Sequence, residues 1–424
     1  MRGRVVKAYL MHIQKNLGTD EVVPGKRPAE PYYVDNHEQI DCKRGKLIKL
    51  LHTADWQIGK CYGQFEPDEA ALLAEARFNT VERLAALALE RQVDLVLVAG
   101  DVFDAQGVSD KTIHRLFHAM RGYAGPWLLI PGNHDAGLAE SVWTRAARLT
   151  AIPDNVHVCL NAEPLLLETL GVAILPAPLT QRHTYNDLTE WFAGADTPAG
   201  MLRIGLAHGS VQGILAEEID STNPIAAGRA EQARLDYFAL GDWHGTRQVD
   251  ARTWYSGTPE TDRFKANDSG QALLVELAGP GESVVVTPIT AGQYLWQSLT
   301  MTLQVASDID QVLSQLAGFG QTDVVKLVLS GQTDLAGYRR LQASIAQTQG
   351  RARCLQADLS ALRLEPTDED IDAIQADGYL GEVIADLRAG QEGAEAGVAR
   401  DALALLAGIL DARISDKARA GTTS

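Results

Sequence analysis

Cysteine is scarce in this sequence of 424 residues, and the few cysteines are spread along the chain. The four are Cys42, Cys61, Cys159 and Cys354, and no two of them form a CxxC pair. This spacing excludes a zinc ribbon and a disulfide framework, which need closely spaced or regularly paired cysteines. The pattern is typical of a protein in a reducing compartment, and we expect a cytoplasmic location.

Positive charge is also in short supply. Lys and Arg number 38 against 55 Asp and Glu, so the formal net charge is -17 and the pI is near 5.0. This balance argues against a generally basic surface that coats nucleic acid by releasing counterions. A polyanionic substrate would have to be met locally, by metal ions or by a confined basic strip.

Long uncharged apolar runs and a nucleotide-binding loop are missing as well. Without an apolar run of about 20 residues the sequence predicts no membrane span. Pro24-Gly25-Lys26 lacks the spacing and the hydroxyl residue of a Walker A loop, so we predict no ATP site. Hydrophobic residues nevertheless make up 46% of the chain, which is ample for buried cores.

The residue pattern divides the chain into four predicted segments. The first lacks a sustained period and could also be an artefact of the assigned start codon. The second alternates strands with helical segments, which predicts a layered α/β domain, and its last two strands are expected to complete the second layer of the sheet. The segments are an N-terminal extension (1–45), an α/β domain (46–290) ending in strands at 272–277 and 284–288, a small β-α-β-α-β domain (291–366) and a helical tail (367–424).

Polar residues follow five apolar strands at the points where those strands end. Ligands of open α/β sheets sit beyond the carboxyl ends of the strands, so we expect the five ends to converge on one site. Asp, Asn and His offer the ligand atoms that hard or borderline cations prefer. The five stretches are Asp55-Trp56-Gln57, Gly100-Asp101-Val102-Phe103-Asp104, Gly132-Asn133-His134-Asp135, His208 and Gly241-Asp242-Trp243-His244.

These stretches, in this order, resemble the five motifs of the calcineurin-like metallophosphoesterases. Around the first two motifs, and again at Tyr255-Ser256-Gly257-Thr258-Pro259-Glu260, the sequence is most similar to the DNA-repair nucleases of the SbcD type. The resemblance implies a two-sheet metallophosphoesterase sandwich flanked by helices, followed by a capping domain and a helical tail. It also implies a manganese-dependent DNA nuclease that works with an SbcC-like coiled-coil ABC ATPase and that can form a homodimer.

The resemblance further implies a role for each polar residue of the motifs. Asp101 would bridge two divalent metal ions. His134 would protonate the leaving oxygen or stabilise the charge of the crowded phosphorane-like state, and Asp104, also counted as catalytic, would orient His134 or another ligand. The first metal ion would be held by Asp55, Gln57, Asp101 and His244, and the second by Asp101, Asn133, His208 and Asp242.

Two positions depart from the family pattern. Gln57 and Asp242 stand where the related nucleases usually have histidine, so oxygen replaces nitrogen at both positions. Oxygen ligands favour Mn2+ or Mg2+ over Zn2+. A glutamine amide is also a weaker ligand than an imidazole, so the first metal ion is expected to be loosely held. We therefore expect an enzyme with two divalent ions, Mn2+ before Mg2+, that depends on added manganese.

Other functions stay open from the residues alone. One is a phosphodiesterase or phosphatase for a non-DNA phosphoester, which the acidic charge favours. Another is an assembly subunit whose site is degenerate, because Gln57 and Asp242 replace expected ligands. The tail is equally open: its apolar faces at 380–387 and 403–414 would contact an ATPase partner or pack on the chain's own capping domain.

Overall fold

The computed structural model of the protein describes residues 46–214, 222–365, 367, 379–392, 395–403 and 405–406. The predicted N-terminal extension therefore lies outside the described residues, as does much of the predicted tail. None of the helices in these ranges is both long and apolar enough to span a membrane.

Strands and helices alternate along most of the described chain. The strands are β1 (Ile48–Thr53), β2 (Leu95–Val98), β3 (Trp127–Leu129), β4 (Val156–Val158), β5 (Leu165–Leu167), β6 (Val172–Ala177), β7 (Leu202–His208), β8 (Ser210–Val211), β9 (Pro224–Ile225), β10 (Tyr237–Gly241), β11 (Arg247–Gln248), β12 (Thr253–Tyr255), β13 (Gln271–Leu277), β14 (Val284–Thr290), β15 (Leu295–Leu303), β16 (Asp323–Thr333) and β17 (Cys354–Leu364). The helices are α1 (Pro67–Glu90), α2 (Asp110–Ala119), α3 (Val142–Arg148), α4 (Arg229–Gln232), α5 (Ala306–Gly318), α6 (Leu335–Gln349) and α7 (Tyr379–Gly390), with 3-10 turns at Met120–Gly122 and Glu190–Gly194.

Two six-stranded sheets face each other and hold the core between them. The first sheet has the order β14-β13-β1-β2-β3-β4, and the second has the order β11-β12-β10-β7-β6-β5. Leu50 and Leu97 of the first sheet are fully buried in one hydrophobic cluster with Ile174 and Leu206 of the second. The predicted α/β class, with a two-sheet sandwich flanked by helices, is confirmed.

Helices cover the outer face of the first sheet, and local signals fix where they begin. The side chain of Ser109 accepts a hydrogen bond from the Thr112 N–H, and that of Ser141 accepts one from the Thr144 N–H, so both α2 and α3 are capped. Phe117 of α2 is buried against this sheet. The helices thereby brace the strands whose ends carry the site.

The strands β13 and β14 lie in the first sheet, not in the second. β13 pairs antiparallel with β1, with Val275 opposite Leu50, and β14 extends the sheet beyond β13. The prediction that these strands complete the second layer was wrong. An alternating pattern tells which residues of a strand face inward, but it does not tell which neighbour the strand pairs with.

A three-stranded parallel sheet, β15-β16-β17, follows the sandwich and carries α5 and α6. Val325 and Leu327 of β16 face these helices, whereas Val324 packs with Tyr62 and Phe65 of the loop before α1. The elements follow the β-α-β-α-β order expected from the sequence. The boundary at 291 and the capping role remain predictions.

The described part of the tail packs on this small domain. Ile384 and Leu403 are buried together with Leu335 and Leu364, and the Arg388 guanidinium donates hydrogen bonds of 2.8 and 3.0 Å to Glu365. Of the two alternatives for the tail, packing on the chain's own capping domain is thus observed for these helices. Residues 407–414 of the second predicted apolar face lie outside the described residues.

One buried polar pair joins the two sheets near the site. His52 Nδ1 of β1 lies 2.9 Å from the Tyr237 hydroxyl of β10, and both side chains are fully buried. His52 Nε2 has no hydrogen-bond partner within the described part of the chain. Burial lowers the pKa of His52 to about 3. The folded protein therefore holds this ring neutral.

The free energy of unfolding should consequently fall when the pH drops through the ordinary histidine range. The unfolded chain takes up a proton at His52 near pH 6.5, whereas the folded chain takes it up only near pH 3. This residue alone should remove about 2 kcal/mol between pH ~7.5 and pH ~5. A His52→Phe/Tyr237→Phe double variant lacks both polar partners and should lose that part of the pH dependence. Urea unfolding at the two pH values measures it, and an unchanged difference would contradict this account.

Candidate metal centre

The site lies where the carboxyl ends of both sheets meet. β1, β2 and β3 of the first sheet and β7 and β10 of the second all end here. His208, the last residue of β7, reaches across to the first sheet, and its Nδ1 lies 2.8 Å from the Ala99 carbonyl. The predicted convergence of the five strand ends is therefore present, with three ends from one sheet and two from the other.

The residues predicted to hold the second metal ion are close together. His208 Nε2 lies 2.9 Å from Asn133 Oδ1, 3.6 Å from Asp101 Oδ1 and 3.7 Å from Asp242 Oδ1. Because His208 Nδ1 donates to a carbonyl, Nε2 is the nitrogen that would give its lone pair to a metal ion once its own proton has left. Two carboxylates, an amide oxygen and an imidazole nitrogen thus point into one space.

The residues predicted for the first metal ion border the same space. The Asp242 N–H donates to both oxygens of Asp55, at 3.2 and 3.3 Å. Asp55, Asp101 and His208 can bring one ligand atom each to within 4.8 Å of one another. Gln57 Nε2 lies 3.3 Å from His244 Nε2, and Gln57 Oε1 accepts a hydrogen bond of 2.9 Å from Lys60. In this arrangement the glutamine turns its nitrogen, which is no metal ligand, toward His244.

His134 sits at the mouth of the site with its side chain 31% exposed. Its main-chain N–H donates to Asp101 Oδ1 at 2.9 Å, and its Nε2 lies 4.0 Å from Asp101 Oδ2. Its Nδ1 lies 2.8 Å from the main-chain carbonyl of Asp104. The structure thus brings Asp104 to His134, but through the backbone and not through the carboxylate that the sequence suggested.

The carboxylates of the site are crowded, and a bound cation would stabilise their charged forms. Burial raises the pKa of Asp55 to about 6, although the charges of His244 and His208 oppose the shift, and burial also raises the pKa of Asp242. Burial alone would lower the pKa of His208, but Asp101, Asp55 and Asp242 outweigh it and raise the pKa to about 9. Three crowded carboxylates with oxygen and imidazole donors suit a divalent ion such as Mn2+ or Mg2+.

The backbone is strained at the ligand positions. In the described chain the non-glycine residues with positive φ include Asp55 (53°), Gln57 (44°), Asp101 (51°) and Asp242 (100°). Such angles are uncommon for residues with a Cβ, and they concentrate at functional sites. Four predicted ligands therefore share a conformation that is costly and that aims their side chains into the site.

Two features of the site escaped the sequence reasoning, and Asp135 is the first. It is fully buried, and its carboxylate accepts hydrogen bonds from the N–H groups of Gly132 (2.7 Å) and Phe103 (3.1 Å). It thus joins the loops that carry Asn133 and Asp101. Burial raises its pKa to about 7. Its place in the Gly-Asn-His-Asp stretch was a usable signal.

The second feature is the Asp262 cluster, which consists of Asp262 and the cations around it. Lys60 Nζ lies 2.6 Å, Arg263 Nε 2.9 Å and Arg77 Nη2 3.3 Å from the Asp262 carboxylate. Burial would raise the pKa of Asp262, but the hydrogen bond from His244 and the nearby positive charges hold it well below its usual range. No sequence signal points to this cluster, because Lys60 and Asp262 are 202 positions apart.

Gly132 offers a direct test of the packing at the ligands. A Cβ at this position would lie 2.2 Å from Asp101 Oδ1 and 2.4 Å from the Asp101 nitrogen. Gly132→Ala should therefore displace Asp101 and weaken Mn2+ binding about tenfold or more, as measured by titration calorimetry. Gly107→Ala is the matched control, since a Cβ there meets nothing within 4 Å. Equal Mn2+ affinity of the two variants would show that the close approach is unimportant.

Comparison with known proteins agrees with this geometry. Residues 48–270, more than half of the chain, match the family described as calcineurin-like phosphoesterase. The metallophosphoesterase YhaO of Bacillus subtilis, described as uncharacterized, is 25% identical over 306 residues, which is 67% of this chain and 72% of that protein.

A nuclease component and a DNA repair protein are similar to this chain as well. The D component of the nuclease SbcCD of Bacillus subtilis is 24% identical over 318 residues, 64% of this chain and 77% of that protein. The DNA double-strand break repair protein Mre11 of Methanosarcina acetivorans is 22% identical over 304 residues, 68% of this chain and 46% of that protein. The family match and the site it covers lead to one conclusion: this chain belongs to the calcineurin-like phosphoesterases.

Proposed function

We propose that this protein is a metal-dependent DNA nuclease that hydrolyses phosphodiester bonds. One observation carries the proposal: a buried group of ligands, Asp55, Asp101 and His208, lies beside a partly exposed histidine, His134. The similarity to a component of the nuclease SbcCD and to the repair protein Mre11 supports DNA as the substrate.

Two divalent ions, Mn2+ or alternatively Mg2+, are the proposed cofactors. When bound, divalent cations supply Lewis-acid chemistry that polarises phosphoryl oxygens and makes water nucleophilic at neutral pH. Asp101 is the proposed shared ligand, since its carboxylate faces both His208 and the Asp55 side of the site. The first position would use Asp55, Gln57, Asp101 and His244, and the second would use Asp101, Asn133, His208 and Asp242.

His134 is the proposed general acid. The Asp104 carbonyl beside Nδ1 can only accept a hydrogen bond, so Nδ1 carries a proton. Nε2 is then the atom that holds and releases the second proton, and it faces the partly exposed mouth of the site. Asp104 fixes the ring through its main chain, and His134 delivers its proton to the departing oxygen.

A confined basic strip beside the metal centre supports a polyanionic substrate. Trp243 lies between the proposed ligands Asp242 and His244, with Lys265 Nζ 4.6 Å and the Arg247 guanidinium carbon 5.9 Å from its ring centroid. The Arg263 side chain, 47% exposed, adds a third cation at the same edge. These groups would meet the phosphates that flank the scissile bond, which the net charge of -17 would otherwise repel.

The proposal extends to partners and domains. The capping domain (291–366) would restrict access to the site, and the tail (367–424) would contact an SbcC-like ATPase. Tyr379 of α7 and Leu405 are large apolar residues that are exposed on the described tail, which leaves surface for such a partner. Homodimer formation is proposed from the resemblance alone.

A second candidate function is hydrolysis of a non-DNA phosphoester. The acidic surface favours it, and the similar metallophosphoesterase YhaO is described as uncharacterized, so family membership alone selects no substrate. A catalytically degenerate assembly subunit is the third reading, and the ligand arrangement around Asp101 counts against it.

A substrate panel separates the three functions. The purified chain with Mn2+ is incubated with linear double-stranded DNA, single-stranded DNA and bis(p-nitrophenyl) phosphate, beside an Asp101→Asn variant. We expect DNA cleavage that Asp101→Asn abolishes, and a His134→Ala variant that cleaves roughly 100-fold more slowly or worse while it still binds Mn2+. Hydrolysis of the small ester without cleavage of either DNA would favour the second function. Activity no different from that of Asp101→Asn would favour the third.

A further inference from the structure

We propose that the two metal positions differ in their affinity for divalent ions, because the Asp262 cluster places positive charge beside the first position. The resting protein would then hold one divalent ion tightly, at the second position, and exchange the ion at the first. This inference rests on the metal-dependent function proposed above.

Two of the three side chains that belong to the first position alone, Gln57 and His244, contact a cation of the cluster, whereas Asp55 does not. Lys60 Nζ donates to Gln57 Oε1 at 2.9 Å, the oxygen that would have to bind a metal ion. Arg263 Nη2 lies 2.9 Å from His244 Nδ1 on the other side of the position. A divalent ion entering here meets an occupied ligand oxygen and two like charges.

The cluster carries more positive than negative charge. Lys60, Arg77 and Arg263 surround the single carboxylate of Asp262, whose side chain is 1% exposed. The carboxylate of Glu260, which accepts hydrogen bonds from Thr80 and from the N–H groups after β14, is nearby as well, so three cations face two carboxylates. Asp262 pairs with all three cations and so keeps them beside the first position.

The second position has the opposite character. His208 contacts Asn133, Asp242 and the Asp101 carboxylate, and no lysine or arginine of the described chain is hydrogen-bonded to these ligands. His208 is fully buried there, and its Nε2 faces oxygen atoms. A cation at this position meets two carboxylates and no lysine or arginine of the described chain, so this position should be filled first.

Two independent substitutions should even out the difference. Lys60→Met removes the charge and keeps most of the stem, while Arg77 and Arg263 still pair with Asp262. Gln57→His replaces the amide, whose oxygen is bound to Lys60, with an imidazole that can bind a metal ion. Lys326→Met, at an exposed lysine of β16 in the capping domain, is the matched control.

Mn2+ titration calorimetry on the full chain, with Mn2+ electron paramagnetic resonance as a second readout, tests the proposal without any substrate. We expect one tight ion and a second that binds about tenfold or more weakly, with the spectrum of an isolated Mn2+ at one equivalent. Asn133→Ala should remove the tight phase. Lys60→Met and Gln57→His should each strengthen the weak phase by roughly tenfold, and Lys326→Met should change neither phase.

Two equally tight ions in the unmodified chain would overturn the inference, and so would a weak phase that neither Lys60→Met nor Gln57→His strengthens. If Lys60→Met fails to fold, which its circular dichroism would reveal, Arg263→Met takes its place, because Gln57→His strengthens the weak phase through its better ligand alone. The failure of this inference is distinguishable from that of the proposed function: two equal ions in a chain that cleaves DNA would leave the nuclease standing, whereas no Mn2+ binding at all would overturn both.

Discussion

The crowding of buried carboxylates at the meeting edge of two sheets is the constraint on which the rest of the site depends. Asp55 and Asp101 are buried, Asp242 borders the same space with its side chain 28% exposed, and burial raises the pKa of Asp55 and Asp242. Such an arrangement is unfavourable for a protein that has no cation to bind. The backbone at these three residues has positive φ, which costs free energy. The packing of the two-sheet sandwich offsets that cost.

The two sheets contribute different parts of the chemistry. The ends of β2 and β3 supply Asp101, Asn133 and His134, the proposed general acid, and the buried Asp135 carboxylate joins the loops after these two strands. The ends of β7 and β10 supply His208 and Asp242 from the opposite sheet. The hydrogen bond from His208 to the Ala99 carbonyl fixes the distance between the ends of β7 and β2. The metal centre is therefore also a contact between the sheets, so its geometry depends on how the core packs.

Much of this could be predicted because the informative residues are local to strand ends. An apolar strand followed by Asp, Asn or His identifies its own place in the fold, and five such strands identify one site. The Asp262 cluster could not be predicted, because Lys60, Arg77 and Asp262 meet only through tertiary packing. The same limit explains the wrong placement of β13 and β14, whose pattern gives a face but no partner strand. Asp104 was found by its position, yet it contacts His134 through a carbonyl that every residue type possesses.

The central claim is that the converging strand ends bind a divalent cation at Asp101. Diffraction from crystals of the protein grown with Mn2+, with data collected at the manganese absorption edge, measures this directly. The account predicts an anomalous peak within coordination distance of Asp101, Asn133 and His208. Manganese bound elsewhere, with His208 still hydrogen-bonded to Asn133, would contradict it.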